Sequence, residues 1–179
     1  TLTDEELMRA RSFFDSPDYQ VMDGDHAAAE LQGACSRDAI FGNWVKRNTQ
    51  AHRVPGYRIV TISLKATGYA PGDVTAEQLE LLAELADQYS FSEIRSTHQQ
   101  NLVLGDVQMS QLYDLWQRLQ TAGLATPNIG YLTDIICCPG GDYCSLANAK
   151  SLPVAEAIQA RFDDLDYVYD LGPLELNIS

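Results

Sequence analysis

The chain of 179 residues carries 25 acidic side chains against 12 basic ones, a net charge of −13, and is 45% hydrophobic. That hydrophobic share supports a packed core and excludes wholesale disorder, and the length suits one domain, or one domain with an appended piece. The charge argues against nucleic acid or an anionic membrane as a partner, no apolar run approaches the roughly 20 residues of a membrane span, and no secretory signal pattern opens the chain.

Four unevenly spaced cysteines in a chain this long do not form a disulfide framework. A reducing, cytoplasmic setting is expected. The last residues, Leu174-Glu175-Leu176-Asn177-Ile178-Ser179, alternate as a strand does, and the chain stops inside the pattern. The expectation is a piece of a longer protein.

In chain order, residues 1–15 predict a helix, with Thr3 and Glu6 as a capping box and Leu7, Ala10, Arg11 and Phe14 at helical spacing. Residues 19–34 are small and acidic, with helix expected around Ala27-Ala28-Ala29 and His26 facing solvent. Ile40, Phe41, Trp44 and Val45 make the apolar face of a short helix. Cys35 reads as a small buried residue.

Residues 57–66 alternate as a strand. Thr75 caps the next helix with Gln78 in the capping-box position, and Leu79, Leu82, Leu85, Ala86 and Tyr89 define its buried face. A short strand over 93–97, the polar turn His98-Gln99-Gln100 and a strand over 101–107 follow. Leu112, Leu115, Trp116 and Leu119 line a further helix that Gly123 closes.

The fold class expected is therefore α+β. A ferredoxin-like βαββα half-domain occupies 56–125, its final strand absent or supplied by the 128–136 stretch. A helical segment and connection (1–55) precede it. Residues 126–179 form a less regular α/β stretch: a buried strand over 129–136 and a helix from Ser151-Leu152-Pro153 burying Val154, Ala157, Ile158 and Phe162. An acidic connection over 163–166 and the terminal strand complete it.

Three cysteines fall within the twelve residues 133–144. Cys138 and Cys144 have five residues between them, among them Pro139, Gly140 and Gly141, which hold the backbone tight and open. Such a loop can aim two thiolates at one centre and leave backbone N–H groups to tune it. Two ligands complete no common zinc or iron–sulfur site, and Cys137 is too close to Cys138 to share a metal with it. On spacing alone, half of a metal site, a redox disulfide and inert thiols all remain open.

Three stretches in order resemble the siroheme-dependent nitrite and sulfite reductases. Gly56-Tyr57-Arg58-Ile59-Val60, with Pro71-Gly72-Asp73-Val74-Thr75 and Gln78-Leu79, is similar to the opening of that family's ferredoxin-like half-domain. Ile94-Arg95-Ser96-Thr97-His98-Gln99-Gln100-Asn101-Leu102 is similar to its siroheme-facing turn. Thr133-Asp134 through Cys138-Pro139-Gly140-Gly141-Asp142-Tyr143-Cys144 and Leu146-Ala147 is similar to its first cluster-binding cysteine pair. The resemblance spans about residues 40–179, and it implies that 126–179 are the truncated start of a siroheme- and [4Fe–4S]-binding domain.

It implies Cys138 and Cys144 as two ligands of a [4Fe–4S] cluster, with Cys137 only their neighbour. It implies Arg95, Thr97, Gln100 and Asn101 as siroheme contacts, and assigns no catalytic residue here. The family's second cysteine pair follows the position where this chain ends. The implied function is a fragment of an oxidoreductase that reduces sulfite to sulfide, or nitrite to ammonia, by six electrons. Alone, the fragment is expected to be inactive and to hold no cofactor. Its implied partners are the rest of the parent reductase, an electron donor (ferredoxin or a flavoprotein) and a small anionic substrate; self-association of the fragment is also expected. The competing reading is a non-catalytic ferredoxin-like scaffold or binding module with a structural or zinc-binding cysteine loop.

Overall fold

The computed structural model describes residues 2–14 and 16–179. Helix α1 (Asp4–Arg11) opens on the predicted capping box: the Thr3 hydroxyl accepts from the Glu6 N–H, and the Glu6 carboxylate accepts from the Thr3 N–H. It ends at Arg11, short of the predicted end near residue 15, which itself lies outside the described residues. None of its side chains is buried.

Helices α2 (Gly24–Arg37) and α3 (Ala39–Asn48) meet at Asp38, whose extended backbone ends one and caps the other. The Asp38 carboxylate accepts from the N–H groups of Ile40 and Phe41, each at 3.0 Å. Phe41, Trp44 and Val45 are buried as predicted, but Ile40 is exposed and Asn48 takes its place inward. Asn48 is held there by carbonyls, its amide donating to Thr61 O and Thr126 O.

The main sheet is fully antiparallel, in the order β1 (Thr49–Ala51), β2 (Tyr57–Ile62), β4 (Leu102–Gln108), β3 (Arg95–Ser96). Strands β2 and β3 run parallel to one another with β4 inserted between them, and α4 (Ala76–Tyr89) crosses over from β2 to β3. That is the split β-α-β of a ferredoxin-like half-domain, and the fold is α+β. The fourth strand is neither absent nor supplied by the 128–136 stretch. It is β1, upstream of β2, while residues 128–135 form turns. Strand β2 is also shorter than predicted, because after Ile62 the backbone turns to other partners: Leu64 N–H donates to the Asn101 side chain and Leu64 O accepts from Gly72 N–H.

One face of the sheet carries the core. Val60, Ile62, Leu104 and Val107 pack against α3, α4 and α5 (Leu112–Thr121). All four predicted positions of α5 are buried. In α4 the predicted set holds except for Leu79, which is half-exposed. The other face carries Ile59, Thr61, Val103 and Gly105 and is left open toward residues 129–136 and 174–176.

After α5, strand β5 is only Ile136–Cys137, not the predicted 129–136. Helix α6 (Leu152–Arg161) buries Ala155 and Gln159 rather than the predicted face; of that face Ile158 still packs inward and Val154 is half-exposed. The acidic connection is in fact the start of helix α7 (Leu165–Leu171), capped by Asp164. Strand β6 (Asn177–Ile178) lies parallel to β5. Ile135, Cys137 and Ala155 form a second small core with Leu152, Ile158, Leu176 and Ile178. Helix α7 is tied to α3 by Arg47, whose guanidinium lies 3.4 Å from the Tyr169 ring centroid.

Candidate cofactor site

The turn between β3 and β4 is built from its own backbone. Gln100 N–H donates to Thr97 O, Thr97 N–H to Asn101 O, and Asn101 N–H to the Thr97 hydroxyl. Closing it requires Gln100 to adopt φ +58°, a left-handed conformation that a non-glycine residue rarely takes. Two predicted site residues, Gln100 and Asn101, thereby face the cysteine segment.

Gln100 binds Cys137 as a strand neighbour would. Its Nε2 donates to Cys137 O at 2.8 Å and its Oε1 accepts from Cys137 N–H at 2.9 Å. Asn101 is buried; its Nδ2 donates to Asp134 Oδ1 at 2.8 Å, and its Oδ1 accepts from Leu64 N–H and Lys65. Both amides are thus committed within the protein. Thr97 and Arg95 stand differently. Thr97 lines the open face of the sheet, and Arg95 is exposed, paired with Glu93 and lying over Gly105.

The cysteine loop is fixed from three sides. Ile136 N–H donates to Leu176 O and Cys138 N–H to Ile178 O, so β6 aligns the start of the loop. Gly141 N–H reaches Ala149 O, and Cys144 N–H reaches Gly140 O, both at 2.8 Å. Gly140 has φ +62°, and a Cβ there would lie 2.7 Å from Ala149 O. Glycine is therefore required at 140 on two counts. The loop leaves Cys138 and Cys144 exposed, whereas Cys137 is buried in the second core. Burial, and then the neighbouring Cys138, push the Cys137 thiol pKa up. Cys35 is half-buried against the main core rather than fully enclosed, and burial raises its thiol pKa as well.

Two cavities adjoin along the open sheet face, both lined by Ile59 and Val103. One, of about 230 Å³, runs beneath Thr97, Asn101, Asp134 and Ile136. The other, of about 510 Å³, carries Arg53, Arg95 and a buried network. In that network Asp106 accepts from the Tyr19 hydroxyl at 2.6 Å and lies 3.2 Å from His52 Nε2. Val54 N–H donates to His52 Nδ1, which leaves Nε2–H to face Asp106. Burial, and then Asp106, raise the Tyr19 pKa.

Sequence reasoning missed this network, whose members lie far apart in the chain. It also missed Lys65, which is 1% exposed. The Lys65 ammonium donates to Gln99 O at 2.6 Å, Gln100 O at 2.9 Å and Asn101 Oδ1 at 3.0 Å, and lies 3.6 Å from Asp134. Burial lowers its pKa from 10.5 to about 8, against the opposing pull of Asp134. The only signal available was a lysine in the continuation of an apolar strand, in alternation with Ile59 and Thr61.

The donor set can be tested against the cofactors that the resemblance implies. Cys138 and Cys144 are exposed thiols on a braced loop and suit two places in a four-ligand cluster. Among the described residues no group of three or more His, Cys, Asp or Glu side chains comes together as a metal site. The groove offers a polycarboxylate ring the sheet residues Ile59 and Val103 and two guanidinium groups, with Glu93, Asp106 and Glu175 also on its walls. The residues fit as a part of such a site.

An α+β half-domain whose β3–β4 turn grips a cysteine loop defines a class, and comparison with known proteins agrees. Residues 51–122 match the family described as nitrite/sulfite reductase ferredoxin-like half domain. The chloroplastic ferredoxin–nitrite reductase of Betula pendula is 27% identical over 138 residues, covering 73% of this chain and 23% of that protein. Sulfite reductase [ferredoxin] 2 of Mycolicibacterium paratuberculosis is 29% identical over 122 residues, 65% of this chain and 22% of that one. The structure of the Mycobacterium tuberculosis NirA protein superposes with a TM-score of 0.57 at 25% identity, over 73% of this chain and 23% of that one. These likenesses support the siroheme-dependent nitrite and sulfite reductase family for this chain. It spans about a quarter of the length of these relatives.

Proposed function

We propose that this chain supplies one half-domain and half of the cluster ligands of a reductase that converts nitrite to ammonia, or sulfite to sulfide, by six electrons. The observation that carries the reading is the paired hydrogen bond between Gln100 and Cys137, which joins two of the three family stretches in space. Cys138 and Cys144 are two cluster ligands. Arg95 and Thr97 face the siroheme across the open sheet, while Gln100 and Asn101 hold the loop. When bound, the cluster and siroheme supply stored electrons and an iron that takes the substrate's N or S atom. The chain's own part is to brace two thiolates, floor the groove, and offer Arg53 and Arg95 to carboxylate groups.

The remaining ligands and most of the positive charge come from the rest of a longer protein, since this chain stands at −13. The isolated chain is then inactive and carries no intact cluster. Ferredoxin is the donor that suits it best, because the relatives' names specify it. A reducing compartment such as the cytoplasm suits the free thiols. No helix among the described residues is long and apolar enough to cross a membrane. The test is iron and sulfide reconstitution of the purified chain, followed by iron counting and electron paramagnetic resonance. The expected result is loose, substoichiometric iron that Cys138→Ser or Cys144→Ser removes and Cys137→Ser does not. A stoichiometric [4Fe–4S] signal from the monomer would sink the half-site reading.

A further inference from the structure

We propose that Lys65 is a positioning residue for the cysteine loop: its buried ammonium sets the β3–β4 turn and Asp134 in one arrangement, and Gln100 passes that arrangement on to Cys137.

Two consecutive carbonyls, Gln99 O and Gln100 O, converge on Lys65 Nζ. Successive carbonyls point the same way only when the backbone between them is twisted, and Gln100 supplies the twist with its φ of +58°. The cation thus stabilises the residue in the turn whose backbone is least favoured. It also orients Asn101, whose Oδ1 it holds and whose Nδ2 reaches Asp134. The second oxygen of Asp134 accepts from Gly130 N–H at 3.0 Å, which fixes the start of the segment leading to β5. Both ends of the path to Cys137 therefore meet at one ammonium, one through Gln100 and one through Asp134. Apart from Asp134, the carboxylate that shares a cavity with Lys65 is Asp163, and it is engaged by the Thr67 hydroxyl at 2.6 Å.

A lysine that only filled space would be replaceable by methionine once Asp134 is neutralised. A positioning lysine would not, because the two carbonyls lose their donor. The consequence for cofactor binding rests on the reading proposed above; the placement of the loop does not, and it is tested on the cofactor-free chain.

The experiment is amide hydrogen exchange by NMR. In Lys65→Met, Cys137 N–H is expected to exchange on the order of tenfold faster than in the wild type, after division by the change at Val60 and Leu104 in the core. In Lys65→Met with Asp134→Asn, thermal stability should return toward that of the wild type while Cys137 stays fast. Cys137 exchange unchanged, or accelerated only as much as the core, overturns the proposal; so does recovery of Cys137 in the double variant. Should Lys65→Met fail to fold, the reciprocal measurement decides, because coupling between two sites is symmetric. Gln100→Leu should then speed exchange of the Lys65 ammonium protons severalfold, and an unchanged rate overturns the proposal.

Discussion

Lys65 carries a cost that can be measured. Its folded-state pKa of about 8 lies below the 10.5 of an ordinary lysine. Between those values the unfolded chain binds more protons than the folded one, so stability rises with pH across that window. Below about pH 8 the penalty is complete; by pH 10.5 it is gone. Urea unfolding of the wild type, referenced at each pH to Lys65→Met, should show the wild type gaining on the order of 3 kcal/mol from pH 7 to 10.5. A difference that is flat with pH would mean the ammonium is solvated as well inside as outside. Gly140 offers a second test. With φ at +62° and no room for a Cβ, Gly140→Ala should cost about 2 kcal/mol or more in the same assay. Gly130, also at positive φ but with nothing within 4 Å, should cost less on the same substitution.

At the scale of elements, α4 shows how a local pattern becomes a tertiary joint. Thr75 and Gln78 close the capping box, and Gln78 Nε2 goes on to donate to Ala122 O at the end of α5. Thr75→Ala should lose about 1 kcal/mol by removing the cap alone. Gln78→Ala should lose more, because it removes the return bond of the box and the tie to α5 together. Thermal melts of the two variants would rank them, and equal losses would show that the tie to α5 adds nothing.

The helices α1, α4 and α5 were legible because caps and apolar spacing are written within a few residues. Strand β1 was not, since Thr49-Gln50-Ala51 has no alternation and becomes a strand only by pairing with β2. Residues 129–136 misled because apolar content suggested a strand. Their amides instead close turns on Asn128 and Tyr131, around Gly130 with its φ of +77°. Helix α7 was hidden by its acidic start, although Asp164 is an ordinary N-cap. The site divides the same way. The cysteine spacing and the Gln-Asn turn were visible, but the bond from Gln100 to Cys137 spans 37 residues and exists only once the chain has folded.

For the molecule as a whole, the balance is between apolar surface and charge. Helix α1 buries nothing, and Met8, Phe13, Phe14 and Val21 stand at 64%, 79%, 82% and 104% exposure. A soluble monomer seldom leaves so many large apolar side chains this exposed along one N-terminal segment without a partner. The net charge of −13 opposes association of two copies, and that repulsion is screened within about 10 Å at 0.1 M salt. The hydrophobic contribution is not weakened by salt. The chain should therefore be monomeric at low ionic strength and associate as salt is added, with sedimentation velocity reporting the mass. Met8→Gln with Phe13→Ser should hold it monomeric at the same salt, at a stability cost within about 0.5 kcal/mol because neither side chain is buried. A wild type that stays monomeric in high salt would show the patch too small to bind its own copy. A double variant that still associates would move the contact elsewhere, to the exposed Tyr143 and Leu146 of the cysteine loop.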